Sequence, residues 1–176
     1  MRTSTELETQ AALQVAALMA AAARTAPKTR GIDNIRSAAI DDAPTKQKVI
    51  AKMREIAAKE NRPGLARDAG NIERAPALVV IGVEASTAGL NCGFCGQPTC
   101  EALEAANGIC AFNSMDLGIA AASAAGVAGR HHIDNRMMYS IGRASLDLGL
   151  LGPKVRQALG IPLSVTGKNP FFDRKP

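Results

Sequence analysis

All four cysteines of the chain fall within nineteen residues, in the string Asn91-Cys92-Gly93-Phe94-Cys95-Gly96-Gln97-Pro98-Thr99-Cys100 and then Cys110. The spacing is C-x2-C-x4-C-x9-C. Core packing alone does not crowd cysteines in this way, so the fold must bring residues 92 to 110 into one compact region. What they do there depends on the redox setting. The alanine-rich stretch 11–23 is too short to span a bilayer. It follows Glu6 and Glu8 as well as Arg2, the wrong charge for a secretory leader. The expectation is a cytoplasmic protein, with no membrane partner and with reduced thiols that act as metal ligands or redox groups.

The donor set suits a cubic [4Fe–4S] cluster, which takes one thiolate per iron. Closely spaced cysteines on a tight loop reach adjacent corners, and the fourth arrives from a nearby element. Gly93 and Gly96 let the loop wrap the cluster and turn amide N–H groups toward sulfur. Pro98 fits the first turn of a helix, which places Cys100 near that helix's positive end. Zinc is the main rival, but structural zinc sites usually pair two short C-x2-C units across a longer spacer. A thiol or disulfide redox site and buried core cysteines are the other readings.

The rest of the chain is long enough for one ordinary domain, 176 residues with 47% hydrophobic and 21% charged. The predicted order starts with a helix over 5–24, capped by Ser4 or Thr5, with Leu13, Val15, Leu18, Met19 and Ala22 on its apolar stripe. A connection over 25–44 follows, with a short helical turn near 34–39. A helix over 45–60 capped by Thr45 ends before Pro63-Gly64. Residues 77–83, continuous and β-branched, read as a central strand buried on both faces. A short helix over 98–106 leads to a long one over 114–128, capped by Asn113 with Asp116 nearby. Residues 137–142 read as a strand with Met137 and Met138 in the core. Gly152-Pro153 starts a short helix ending near Gly160, and 161–166 form the last strand. This is an α+β fold: one domain over 1–176 with a central mixed sheet, flanking helices and a cluster-binding segment over 86–112.

The net charge of +5 is scattered, and aromatic residues are only 3%. A chain so poor in rings is a poor platform for stacked bases, so no nucleic-acid partner is expected. The densest basic segment, Arg24 to Arg36, includes Arg24-Thr25-Ala26-Pro27-Lys28-Thr29-Arg30-Gly31. It reads either as a solvated loop or as a cradle for phosphate. The small residues Ala120 to Gly126 suit close packing against another helix or a second copy of the chain. His131-His132 sit at the expected helix end, where the dipole favours them. Asp134-Asn135-Arg136 reads as a turn, and Phe171-Phe172 as a docking tail.

The strings NCGFCGQPTC (91–100), CAFNSMDLGIAAASAA (110–125), DNRMMYSIG (134–142) and GIPLSVTGKNPFFDR (160–174) resemble the DUF2148 family, the ferredoxin domain-containing proteins of anaerobic bacteria and archaea. The likeness is strongest over 78–174. It implies iron–sulfur binding through Cys92, Cys95, Cys100 and Cys110. The cysteine loop is also similar to the CGxCGxxxC motif of certain electron-transfer and corrinoid-protein subunits, where the last interval is usually longer. The order of elements resembles the nitroreductase fold, a dimeric α+β architecture that holds FMN at the subunit interface. By that resemblance Arg24, Lys28, Arg30 and Lys168 are the residues that would meet the flavin phosphate, and the protein would be a homodimer. Three functions remain open: a one-cluster electron carrier for a redox partner protein, a flavin oxidoreductase fed by the cluster, and a non-catalytic module whose cluster is structural or senses oxygen.

Overall fold

The strand β2, Ala77–Glu84, is the axis of the molecule, and its first seven residues are buried. The computed structural model describes residues 1–172. β2 pairs on one side with β1, Ile35–Ile40, and on the other with β4, Val155–Ser164. The short β3, Asp134–Asn135, closes the far edge, giving the order β1-β2-β4-β3. Every pairing is antiparallel rather than mixed.

Alternation along β2 sets the layers. Ala77, Val79, Ile81 and Val83 join a core with α1, Ser4–Thr25, and α5, Ala111–Arg130. Leu78 and Val80 face the other core, built by α2, Ala43–Lys59, α3, Pro63–Asn71, and α6, Tyr139–Asp147. Burying a side chain the size of Val, Leu or Ile stabilises by roughly 1.5–3 kcal/mol. β2 alone buries Leu78, Val79, Val80, Ile81 and Val83 to 1% exposure or less, which outweighs any exposed ion pair here. Neither core cluster contains a residue between 85 and 110.

Local chemistry explains the boundaries. Thr3, not Ser4 or Thr5, caps α1: its hydroxyl accepts the Glu6 N–H, and the Glu6 carboxylate accepts the Thr3 N–H at 2.7 Å, a reciprocal capping box. The buried stripe of α1 is Ala12, Val15, Ala16, Met19 and Ala23, and Leu18 is exposed. Asp42, not Thr45, caps α2 by accepting the Thr45 N–H at 2.8 Å. Pro63 opens α3 instead of ending a region, because the first helical position needs no N–H donor.

Three expectations are overturned. The predicted helical turn near 34–39 is β1, whose ladder to β2 overrides the weak strand preference of Arg36 and Ser37. The predicted strand over 137–142 is mostly α6. Only Met138 keeps a bridge, to Gly160, and Met137 is exposed. The predicted helix from Gly152 is β4. Gly149 and Gly152 take φ of 67° and 92°, turning the chain into a ladder with β2. Two glycines let α6 lie directly on β4. A Cβ at Gly142 would stand 1.9 Å from the Ala158 carbonyl oxygen, and one at Gly160 would stand 2.2 Å from Ile141. Among the described residues no helix is long and apolar enough to cross a membrane.

Candidate functional site

The segment from 85 to 110 leaves the end of β2 and returns at the start of α5, so two rigid elements hold its ends. Polar contacts tie it down between them. The Asn113 side chain, in the first turn of α5, accepts the Ser86 N–H at 3.2 Å. Asn34 donates to the Ser86 hydroxyl at 2.6 Å, and Arg30 donates to the Ala88 carbonyl at 2.6 Å. Asn113 therefore serves the loop and not its own helix, which begins at Ala111 with Cys110 as the N-cap.

Within the segment the backbone curls repeatedly. Asn91, Gly93 and Gly96 adopt φ of 46°, 71° and 84°. The left-handed region costs glycine nothing and is tolerated by asparagine. A short helix α4, Cys100–Ala105, follows, capped by Thr99, whose hydroxyl accepts the Ala102 N–H. Asn91 and Cys100 exchange two hydrogen bonds across this turn. The Phe94 and Phe112 rings meet with centroids 5.6 Å apart.

All four cysteines line one hollow, with Leu90, Phe94, Leu103 and Phe112 among its apolar walls. All four are free thiols. Their exposure is graded: Cys92 is exposed, Cys95 and Cys100 are half-buried, and Cys110 is 7% exposed. Cys110, Ala111 and Phe112, the N-cap and first two residues of α5, all line the hollow. A long helix favours negative charge at this end. Among the described residues no three His, Cys, Asp or Glu side chains converge to hold a single metal ion. Four cysteine side chains around one hollow are the donor set a compact tetrathiolate-bound cluster takes.

The basic residues are arranged differently. Arg24 pairs with Asp33 and donates to the Ile35 carbonyl at 3.1 Å. Lys28 turns onto the carbonyls of Arg24 and Ala26, 3.8 Å from Asp33. Desolvation pushes the Asp33 carboxyl up, but hydrogen bonds from Arg24 and the Ile35 amide, with the charges of Arg24 and Lys28, hold it below the ordinary value. Arg30, at φ 56°, grips the cysteine loop. This loop leads into β1 beside Val83, whereas Lys168 follows the end of β4 beside Ala77. Six residues of β2, about 20 Å, separate those two ends of the sheet.

Other candidates sit elsewhere. Asp116 is 5% exposed and accepts both the N–H and the hydroxyl of Thr29, so it clamps the basic loop to α5 and caps no helix. His131 and His132 lie at the far end of α5, whose 20 residues span about 30 Å from Cys110. Asp134 and Asn135 form β3 and make no turn. Phe171 is buried and Phe172 exposed, with Arg136 donating to the Phe171 carbonyl at 3.1 Å. Asp173 and Arg174 lie outside the described residues. Sequence reasoning passed over Asn91; a polar residue that tolerates left-handed backbone, set directly before the first cysteine, was its only signal.

Residues 106–174 match the family described as "Uncharacterized protein containing a ferredoxin domain (DUF2148)", a segment that includes Cys110. A protein of Archaeoglobus fulgidus, itself described as uncharacterized, is 39% identical over 174 residues, covering 93% of this chain and 92% of its own length. Among solved structures, an FMN-bound nitroreductase from Bacteroides fragilis superposes with a TM-score of 0.64 at 13% identity, covering 93% of this chain and 82% of that one. An FMN-bound nitroreductase from Desulfitobacterium hafniense gives 0.61 at 18%, over 96% and 80%. A BluB-like flavoprotein from Clostridium difficile gives 0.59 at 18%, over 93% and 83%. These likenesses establish a nitroreductase-like α+β fold. The extent and identity of the archaeal match, together with the matched segment, lead to one assignment: this chain belongs to the DUF2148 family of proteins containing a ferredoxin domain.

Proposed function

We propose that the protein binds one [4Fe–4S] cluster through Cys92, Cys95, Cys100 and Cys110 and relays single electrons to a redox partner protein. The observation that carries this reading is the single cavity lined by all four thiols. Zinc is disfavoured by the spacing: structural zinc sites usually pair two C-x2-C units, and this loop has one such pair on a glycine-rich turn. The graded exposure suits a relay. Cys110 anchors the buried corner, while Cys92, with exposed Leu90 and Phe94 beside it, presents the other corner to a docking partner. A structural role for the cluster is less well supported, because neither core includes the loop.

A second reading is a flavin oxidoreductase fed by the cluster. The nitroreductase-like fold favours it. Since Arg24, Lys28 and Arg30 lie at one end of the sheet and Lys168 follows the other, a phosphate site using both would take residues from two copies. The outer face of α5 offers a seam for such a dimer: Met115 and Ile119 are exposed, and Gly118, Ala122 and Gly126 continue the strip.

The deciding experiment is the absorbance spectrum of protein purified without oxygen, with iron and acid-labile sulfide assays. Four irons and four sulfides per chain, with a broad band that bleaches on reduction and no flavin bands, is the expected result. Added flavin bands would move the assignment to the second reading. A colourless, iron-free protein would overturn both.

A further inference from the structure

One residue of the cysteine loop contacts the same cysteine twice, once through its backbone and once through its side chain. Asn91 stands at φ 46°. Its backbone N–H donates to Cys100 Sγ at 3.4 Å, and its Oδ1 accepts the Cys100 N–H at 2.8 Å. The two bonds span nine positions of a glycine-rich turn, so they hold Cys100 from sulfur and backbone together. Among the described residues, Cys100 is the cysteine whose sulfur accepts a hydrogen bond. The left-handed backbone is what lets the amide and the side chain of one residue face the same neighbour. A β-branched or bulky residue would resist that conformation.

Hydrogen bonds to the sulfurs are among the features that set the reduction potential of an iron–sulfur centre. An N–H aimed at a thiolate favours the more negative, reduced state, and a second-sphere group that orients a ligand also governs how firmly it stays bound. We infer that Asn91 is a positioning residue: its side chain fixes Cys100 so that its own amide can hydrogen-bond the sulfur, raising the potential of the bound group and slowing its loss. This inference rests on the cluster reading above.

The test uses the full chain purified without oxygen, as wild type, Asn91→Gly and Asn91→Asp. Asn91→Gly permits the same φ but removes the acceptor. It is expected to lower the midpoint potential, alter the electron paramagnetic resonance signature of the reduced protein, and speed iron loss to a chelator on the order of fivefold, the worth of one net hydrogen bond. Asn91→Asp keeps the acceptor, so its loss rate should return close to wild type while the added negative charge still lowers the potential. Full loading with unchanged potential, signature and loss rate in both variants would overturn the inference alone. If Asn91→Gly fails to fold, Asn91→Ala, which also removes the acceptor, takes its place, and wild-type potential and iron-loss rate in that loaded variant would overturn the inference. A wild-type chain without iron and sulfide would instead overturn the cluster reading, and this inference with it.

Discussion

Thr29 gives both its backbone N–H and its hydroxyl to the carboxylate of Asp116, at 3.1 and 3.0 Å, across 87 positions of sequence. Through this clasp the basic loop is fastened to the helix whose first residues line the cysteine cavity. Asp116→Ala leaves a partly buried N–H and hydroxyl without their acceptor and should destabilise by about 1–3 kcal/mol. Urea unfolding of the metal-free chain measures it. A midpoint within error of wild type would show that water replaces the carboxylate without loss.

The four cysteines should not be equivalent. Cys110 is buried and caps the start of α5, whereas Cys92 is exposed on the loop. Cys110→Ala should abolish cluster loading. Cys92→Ala should leave partial iron content, since the remaining three thiols still hold one face. Iron and sulfide assays on all four single alanine variants check this, and full loading in every one would defeat the ligand assignment.

Gly142 packs against backbone that has no freedom to retreat. Its Cβ would sit 1.9 Å from the Ala158 carbonyl oxygen, inside a strand hydrogen-bonded to β2. Gly142→Ala should therefore cost at least about 2 kcal/mol, at or beyond the usual range for overpacking, despite the better helix propensity of alanine. Gly129→Ala, also in a helix but with nothing within 4 Å, should be neutral or stabilising. Equal thermal midpoints for the two variants would contradict the close approach of α6 to β4.

The hydrogen bond from the Thr45 amide holds the Asp42 carboxyl below its ordinary value of 3.8. A depressed folded-state value adds stability that is present above the unfolded value, near 3.9, and lost as pH falls through the folded one. Asp42→Ala should thus be less stable than wild type by a constant margin from pH 7 down to about pH 5, with the gap narrowing below about pH 4. Denaturant midpoints over that series supply the comparison. A gap that widened in acid would reverse the sign.

The exposed strip of Met115, Gly118, Ile119, Ala122 and Gly126 on α5 predicts self-association. Ile119→Glu should shift sedimentation from dimer to monomer while leaving iron content unchanged. A wild-type chain that sediments only as monomer would remove the dimer from consideration.

The parts legible in the sequence were those with one dominant local signal. Ala77 to Val83 could be little but a buried strand, and Val49, Ile50, Met53 and Ile56 carried their helical period into the structure. The short cysteine spacing confines all four to one segment, and in the structure they line one hollow. Where tertiary contacts outvoted local preference, reading failed. Arg36 and Ser37 look unlike strand residues until β2 supplies their partner, and Gly142 weakens a helix unless β4 lies against it. That the basic loop enters one end of the sheet while Lys168 follows the other was invisible for the same reason. It follows from strand register, which sequence order alone does not disclose.

Neither hydrophobic cluster draws on residues 85 to 110, so the two cores pack from elements outside the cysteine loop. On the cluster reading proposed above, the chain would fold first and take up iron and sulfide afterwards. The loop is in that sense a replaceable cartridge, and exchanging it for one with different spacing would be a change of equipment without a change of architecture.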